Sequence, residues 1–195
     1  MRLFRSITKL SDEELMREII SHHSHPAITE LHRRYSPKLM GYFYKMHNKQ
    51  EEIAQDFVQE LFLKILEKKH LYDPSKKFYT WVFTVASNMC KTSYRNQYIV
   101  TYDDQLRESG DIMEDLAEKE RFHLLLEKSL SNLEHTHKTV FVLRHLEHFS
   151  IQEIADITEV SLGTVKSRLF YATQKMTEQL KIYQPSGLDQ LFKHF

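Results

Sequence analysis

The 195-residue chain has one cysteine, Cys90, so it can build neither a disulfide nor a four-thiolate zinc site. It has four glycines and four prolines, too few for an all-β design with many tight turns. No apolar run reaches the ~18 residues a membrane helix needs. Arg5 and Lys9 interrupt the N-terminus before a signal-peptide core can form. With neither signal nor disulfides, the expected location is the cytoplasm, with no membrane insertion. Net charge is lacking too: 27 Lys and Arg balance 27 Asp and Glu.

What is present is a pattern beneath that balance. Residues 1–99 carry +5, residues 100–120 carry −6 and residues 121–195 carry +1. Within the first block, 76–98 holds Lys76, Lys77, Lys91 and Arg95 and no acid, the clustering a phosphate-contacting surface needs. Hydrophobic spacing is helical throughout. Ser11 and Glu14 form a capping box at a first helix. Pro26 suits the first turn of a second, running to about Met46, and Pro37 inside it predicts a kink or a split. Asn48 and Glu51 signal a third helix to about Lys69, with Ile53, Phe57, Val58, Leu61, Phe62, Ile65 and Leu66 as its apolar set. A fourth is expected over 78–97.

Residues 99–111 lack periodicity, and Ser109-Gly110-Asp111 breaks the chain, so they read as a linker. Four more helices follow near 112–131, 134–147, 150–158 and 161–182. The expected class is all-α: a module over 1–98, the acidic linker 99–111, a second module over 112–183, and a tail over 184–195 with Leu188, Leu191, Phe192 and Phe195 as its apolar residues.

Three surfaces carry chemistry. The first is the last helix pair. Ser150 to Glu153 is a second capping box, Thr158 to Val160 a short turn, and Ser161 the cap of the next helix, which is the helix-turn-helix pattern. On that final helix Val165, Leu169, Ala172, Met176 and Leu180 fall within about 80° of arc and form the buried face. Ser167, Phe170, Tyr171 and Gln174 face water, with Thr164, Lys166 and Arg168 on the flanks. Exposed rings suit thymine methyls and Lys and Ser suit base edges, while Arg168 and Thr164 are placed for phosphates. The second surface is the polar side of helix 48–69. There Asp56, Gln59 and Glu60 share one face beside Phe62, which suits a basic partner or simply water. The third is the outer arc of helix 78–97, with Thr80, Trp81, Thr84, Ser87, Asn88, Lys91 and Arg95. Rings, amides and cations without acids suit unstacked nucleotides.

These residues resemble a known family. Asp56-x-x-Gln59-Glu60-x-Phe62, the run Phe78-Tyr79-Thr80-Trp81-Val82-Phe83-x-x-Ala86-x-Asn88, the run from Phe141 to Ala155, and Gly163 to Leu169 together resemble a bacterial RNA polymerase sigma factor of the extracytoplasmic-function group, over about residues 26–182. The resemblance implies a non-enzymatic subunit with no catalytic residue, no metal and no cofactor. It implies sigma regions two and four. Its partners would be core RNA polymerase (the beta-prime clamp helices and the beta flap), promoter DNA and an anti-sigma protein. Asp56, Gln59, Glu60 and Phe62 match the polymerase-docking face. Lys76, Lys77, Thr80, Trp81, Thr84, Asn88, Lys91 and Arg95 fall on the minus-10 part, Asn88 at a flipped-base pocket. Thr164, Lys166, Ser167, Arg168, Phe170 and Tyr171 fall on the minus-35 part. The chain departs from the pattern at His148, where the family has glycine, at Tyr171, where many members have arginine, and at Ser131-Asn132, where a proline is missing.

Two other readings follow from the residues alone. One is a stand-alone helix-turn-helix regulator. The other is a helical hydrolase or metalloprotein using the twelve histidines with Asp56 and Glu60, for which no supporting motif, such as two His at i, i+4 with an intervening Glu, is present.

Overall fold

The computed structural model describes residues 6–100 and 118–181, and all regular structure among them is helical. The helices are α1 (Asp12–His22), α2 (His25–Met46), α3 (Glu51–Glu67), α4 (Phe78–Val100), α5 (Glu118–Ser131), α6 (His135–His145), α7 (Ile151–Thr158) and α8 (Leu162–Gln179). Short 3-10 turns lie at Ile7–Lys9 and Lys69–Leu71. The chain divides into two compact units. One runs up to Met89 and includes Asp156–Thr158; the other takes Cys90–Ala155 and the chain from Glu159 onward. Residues 99 and 100 belong to α4. The rest of the expected linker, the stretch 112–117 and the tail 184–195 lie outside the described residues.

In the first unit α2 packs against α1 and α3. Leu31, Tyr35, Leu39, Tyr42 and Phe43 bury one stripe of α2. Tyr35 and Tyr42 meet Phe78 and Phe83 of α4 edge to face, with ring centroids 5.0 and 5.4 Å apart. Arg34 ties α1 to α2, reaching Asp12 and Glu30 at 2.7 Å each. Bonds from Arg33 and Arg34 hold the Glu30 carboxyl down to about 2. In the second unit α8 packs on α5 and α6 through Val165, Ala172, Met176 and Leu180.

Both expected capping boxes form. Ser11 Oγ accepts from the Glu14 amide at 3.1 Å, and Ser150 Oγ from the Glu153 amide at 3.2 Å. Other expectations need correction. Pro37 does not split α2. It lies on the exposed side, where water can serve the carbonyl it leaves without a donor, and the buried stripe runs on past it. Asn48 is not a helix cap: Asn48 and Lys49 are both left-handed (φ 52° and 68°), and Gln50 precedes α3. Leu66, expected in the core, is 39% exposed.

At His148, where the resemblance leads one to expect glycine, the backbone gives that expectation a structural reason. His148 adopts φ 58°, a conformation that disfavours any residue with a Cβ. The backbone is held there by Glu147 N–H donating to the Val142 carbonyl and Phe149 N–H to the Leu143 carbonyl. His148→Gly is expected to raise unfolding free energy by about 0.5–1 kcal/mol. Urea denaturation would show this as a higher midpoint at constant m-value.

Candidate nucleic-acid interface

The α7–α8 pair is built from local chemistry. After the Ser150 box, α7 ends at Glu159, whose φ of 56° turns the chain and lets Val160 N–H reach the Ala155 carbonyl at 3.2 Å. Ser161 then caps α8, its Oγ accepting from the Thr164 amide at 3.1 Å. The Ser161 and Thr164 hydroxyls lie 2.9 Å apart, and the Ser167 hydroxyl donates to the Thr164 carbonyl at 3.0 Å. These hydroxyls are engaged in building the helix start before any ligand arrives. Lys166 and Ser167 are exposed, Arg168 is half-buried, and Phe170 and Tyr171 are 66% and 57% exposed. Tyr171 also lies 6.1 Å from the His137 ring of α6. Leu169, expected in the core, is half-buried and lines a groove of about 710 Å³ beside Ile151, Lys166 and Phe170.

The outer arc of α4 is mixed. Asn88, Lys91 and Arg95 are exposed. Thr80, Trp81 and Thr84 are half-buried, and Ser87 is buried. The Trp81 ring lies 5.1 Å from Tyr72 and 5.9 Å from Phe78, so it is part of an aromatic wall with one side outward. The Thr84 hydroxyl donates to the Thr80 carbonyl at 3.0 Å. The preceding loop is rigidly wired. Tyr72 donates to the Lys76 carbonyl at 2.7 Å, and Asp73 accepts from the Ser75 amide and hydroxyl at 2.9 and 2.8 Å. Lys76 and Lys77 stand exposed at its end.

A carboxylate from α1 fixes where α4 starts. The Phe78 amide donates to Glu13 Oε1 at 3.1 Å, an anion at a helix N-terminus. Burial works to raise the Glu13 pKa. The backbone bond from Phe78, with help from Ser11 and Arg17, outweighs it and holds the carboxyl below its usual range.

On α3, Asp56, Gln59 and Glu60 are all exposed on one face. Glu60 pairs with Lys64 at 2.9 Å. Phe62 is buried, its ring 4.6 Å from His32, so it backs the face from inside rather than presenting itself on it. Sequence patterning overlooked Leu63, which is 61% exposed and lies a helical turn beyond Gln59 and Glu60. With Leu66 it makes an apolar centre in an acidic surround. A leucine on the water side of an amphipathic helix is the signal that was available. Among the described residues, no three His, Cys, Asp or Glu side chains gather as metal ligands.

All three surfaces lie within stretches that match family models. The Sigma-70 region 2 model matches residues 31–98, and the Sigma-70 region 4 model matches residues 123–176. Together they take in more than half of the chain. The chain belongs to the sigma-70 family of RNA polymerase sigma factors. The RNA polymerase sigma factor CarQ of Myxococcus xanthus is 27% identical to this sigma factor over 79% of the chain and 89% of its own length. The ECF RNA polymerase sigma-E factor of Haemophilus influenzae is 27% identical over 89% of the chain and 97% of its own length. The fold is similar to that of the sigma factor RpoE of Bartonella quintana, solved with the anti-sigma factor NepR. That match has a TM-score of 0.61 at 22% identity and covers 76% of this chain and 93% of that one. This sigma factor is thus of the extracytoplasmic-function (ECF) group, a transcription initiation factor and not an enzyme. No helix among the described residues is long and apolar enough to cross a membrane.

Proposed function

We propose that this sigma factor docks on core RNA polymerase through α3 and reads a promoter at two places. Asp56, Gln59, Glu60, Leu63 and Leu66 form the docking face for the beta-prime clamp helices. The outer arc of α4 holds the minus-10 element single-stranded: Trp81 and Asn88 take unpaired bases while Lys76, Lys77, Lys91 and Arg95 hold the backbone. Opening is then driven by binding the separated strand, without ATP. The exposed face of α8 reads the minus-35 element as duplex, with Lys166, Phe170 and Tyr171 at base edges and Arg168 at phosphate. The modules 1–98 and 112–183, joined by 99–111, raise each other's effective concentration once polymerase holds both. An anti-sigma protein is the proposed regulator, by analogy with the complex of the Bartonella quintana relative, and the cytoplasm is the proposed location.

The observation that carries this reading is the outward face of α8, two large rings and a lysine exposed on a side-chain-capped helix. The test is run-off transcription from candidate promoters with purified core polymerase. Discrete promoter-dependent transcripts are expected. Tight specific binding of duplex without polymerase, together with no stimulation of core, would instead mark a stand-alone regulator. Lys166→Ala is expected to lower minus-35-dependent initiation about tenfold, the scale of one lost base-edge contact, with thermal stability unchanged because the side chain is exposed.

A further inference from the structure

Tyr171 is exposed, yet its ring does not stand alone. Phe170 meets it edge to face, with centroids 5.5 Å apart and planes at 76°. The His137 ring of α6 lies 6.1 Å away with planes at 35°. Both separations fall within the range of aromatic pairs. Tyr171 follows Ser167 by four residues and Thr164 by seven. The three therefore share one side of α8, where the ring is the largest of them. The two hydroxyls are already engaged at the helix start.

His137 is itself held in place. Its Nδ1 lies 3.9 Å from Glu134 Oε2. That carboxylate is fixed as the cap of α6, accepting from the Thr136 amide at 3.1 Å and from the Thr136 hydroxyl. Because α6 packs on α8, a line of contacts runs from the cap of one helix to a ring on the outward side of the other.

Chemistry limits what such a ring can do in a major groove. A phenol has no fork of donors, so it cannot make the bidentate contact that selects guanine. Thymine alone carries an apolar group on its major-groove edge, the C5 methyl. A methyl is a small target, and a side chain free to turn loses rotamer freedom when it settles there. A ring already backed by a neighbour loses less.

We propose that His137 is a positioning residue for duplex reading: it backs the Tyr171 ring so that the ring selects a thymine methyl in the minus-35 element. The inference rests on the reading of α8 given above. It adds the base selected and a residue outside the helix-turn-helix on which the selection depends.

The test uses holoenzyme, the full chain on core polymerase, with a promoter that it transcribes in the run-off assay. Each thymine of the minus-35 element is replaced in turn by uracil, which removes the methyl and keeps the hydrogen-bonding groups. At one position this is expected to weaken equilibrium promoter binding about fourfold, the worth of one buried methyl group. Tyr171→Ala and His137→Ala are each expected to bring that ratio close to one. Tyr171→Phe and His137→Phe, which keep a ring, are expected to retain it. The ratio compares two duplexes on one protein, so a loss of fold stability cancels out. Uracil without effect at every position, or a penalty that survives Tyr171→Ala, overturns the thymine contact. A penalty lost with Tyr171→Ala but kept with His137→Ala, or lost with His137→Phe, overturns the positioning role. If either result comes while Lys166→Ala and Phe170→Ala still weaken promoter binding, the reading of α8 stands without this inference. If those two substitutions have no effect either, the reading of α8 falls with it.

Discussion

Leu63→Arg is expected to detach the chain from core polymerase, lowering affinity at least 100-fold. Leu63 is 61% exposed at the centre of the face formed by Asp56, Gln59 and Glu60. An apolar anchor surrounded by polar groups is the arrangement in which single truncations cost ~2 kcal/mol or more. An arginine there adds a buried unpaired charge and faces the basic partner that the carboxylates select. Because the side chain touches water in the free protein, circular dichroism and the melting temperature should not move. Fluorescence-detected binding to core checks the affinity. Near-wild-type binding would remove α3 from the docking surface.

The second large effect is on stability. Lys138 of α6 is 4% exposed, and burial pushes its ammonium down to about 8, with the Cys90 thiol acting weakly the other way. The folded value lies below the unfolded one, near 10.5. Below pH 8 the amine is therefore charged in both states and its full burial cost is present. Between about pH 8 and 10.5 the unfolded state binds the extra proton, so this group makes stability rise with pH. Lys138→Met is expected to stabilise the protein by about 2–3 kcal/mol at pH 7, the equivalent of that shift, and to remove the alkaline rise. Cys90 acts in the opposite sense. Its thiol is pushed up by burial, so its contribution declines as pH passes the unfolded thiol value. The informative quantity is the difference between wild-type and Lys138→Met urea midpoints from pH 7 to 10, which should shrink steadily. A constant difference would show that the amine stays charged in the folded protein throughout that range, so that burial does not depress it.

How legible these features were depended on how local their causes are. Ser11 with Glu14 and Ser150 with Glu153 announce two helix starts within four residues, and both boxes form. The buried stripe of α8 followed from angle alone, except at Leu169, where the neighbouring element leaves a groove. Pro37 misled because its penalty depends on which side of α2 it occupies, and that is set by packing with α1, α3 and α4. Phe62 and Trp81 fell on motif positions, yet their rings are partly spent on His32, Tyr72 and Phe78. Leu63 went unnoticed because a single exposed leucine carries no periodic signal. Its meaning appears only once its neighbours on the helix are seen to be acidic and unburied.

The contact between Glu13 and the Phe78 amide joins points 65 residues apart. During synthesis the carboxylate emerges long before its donor, so α4 cannot acquire its anchored first turn until nearly the whole first unit has left the ribosome. Once formed, that turn couples two fates. Local opening of α1 unpins the end of α4 that carries Thr80 and Trp81, and the exchange rate of the Phe78 amide reads out how often the N-terminal helix lets go.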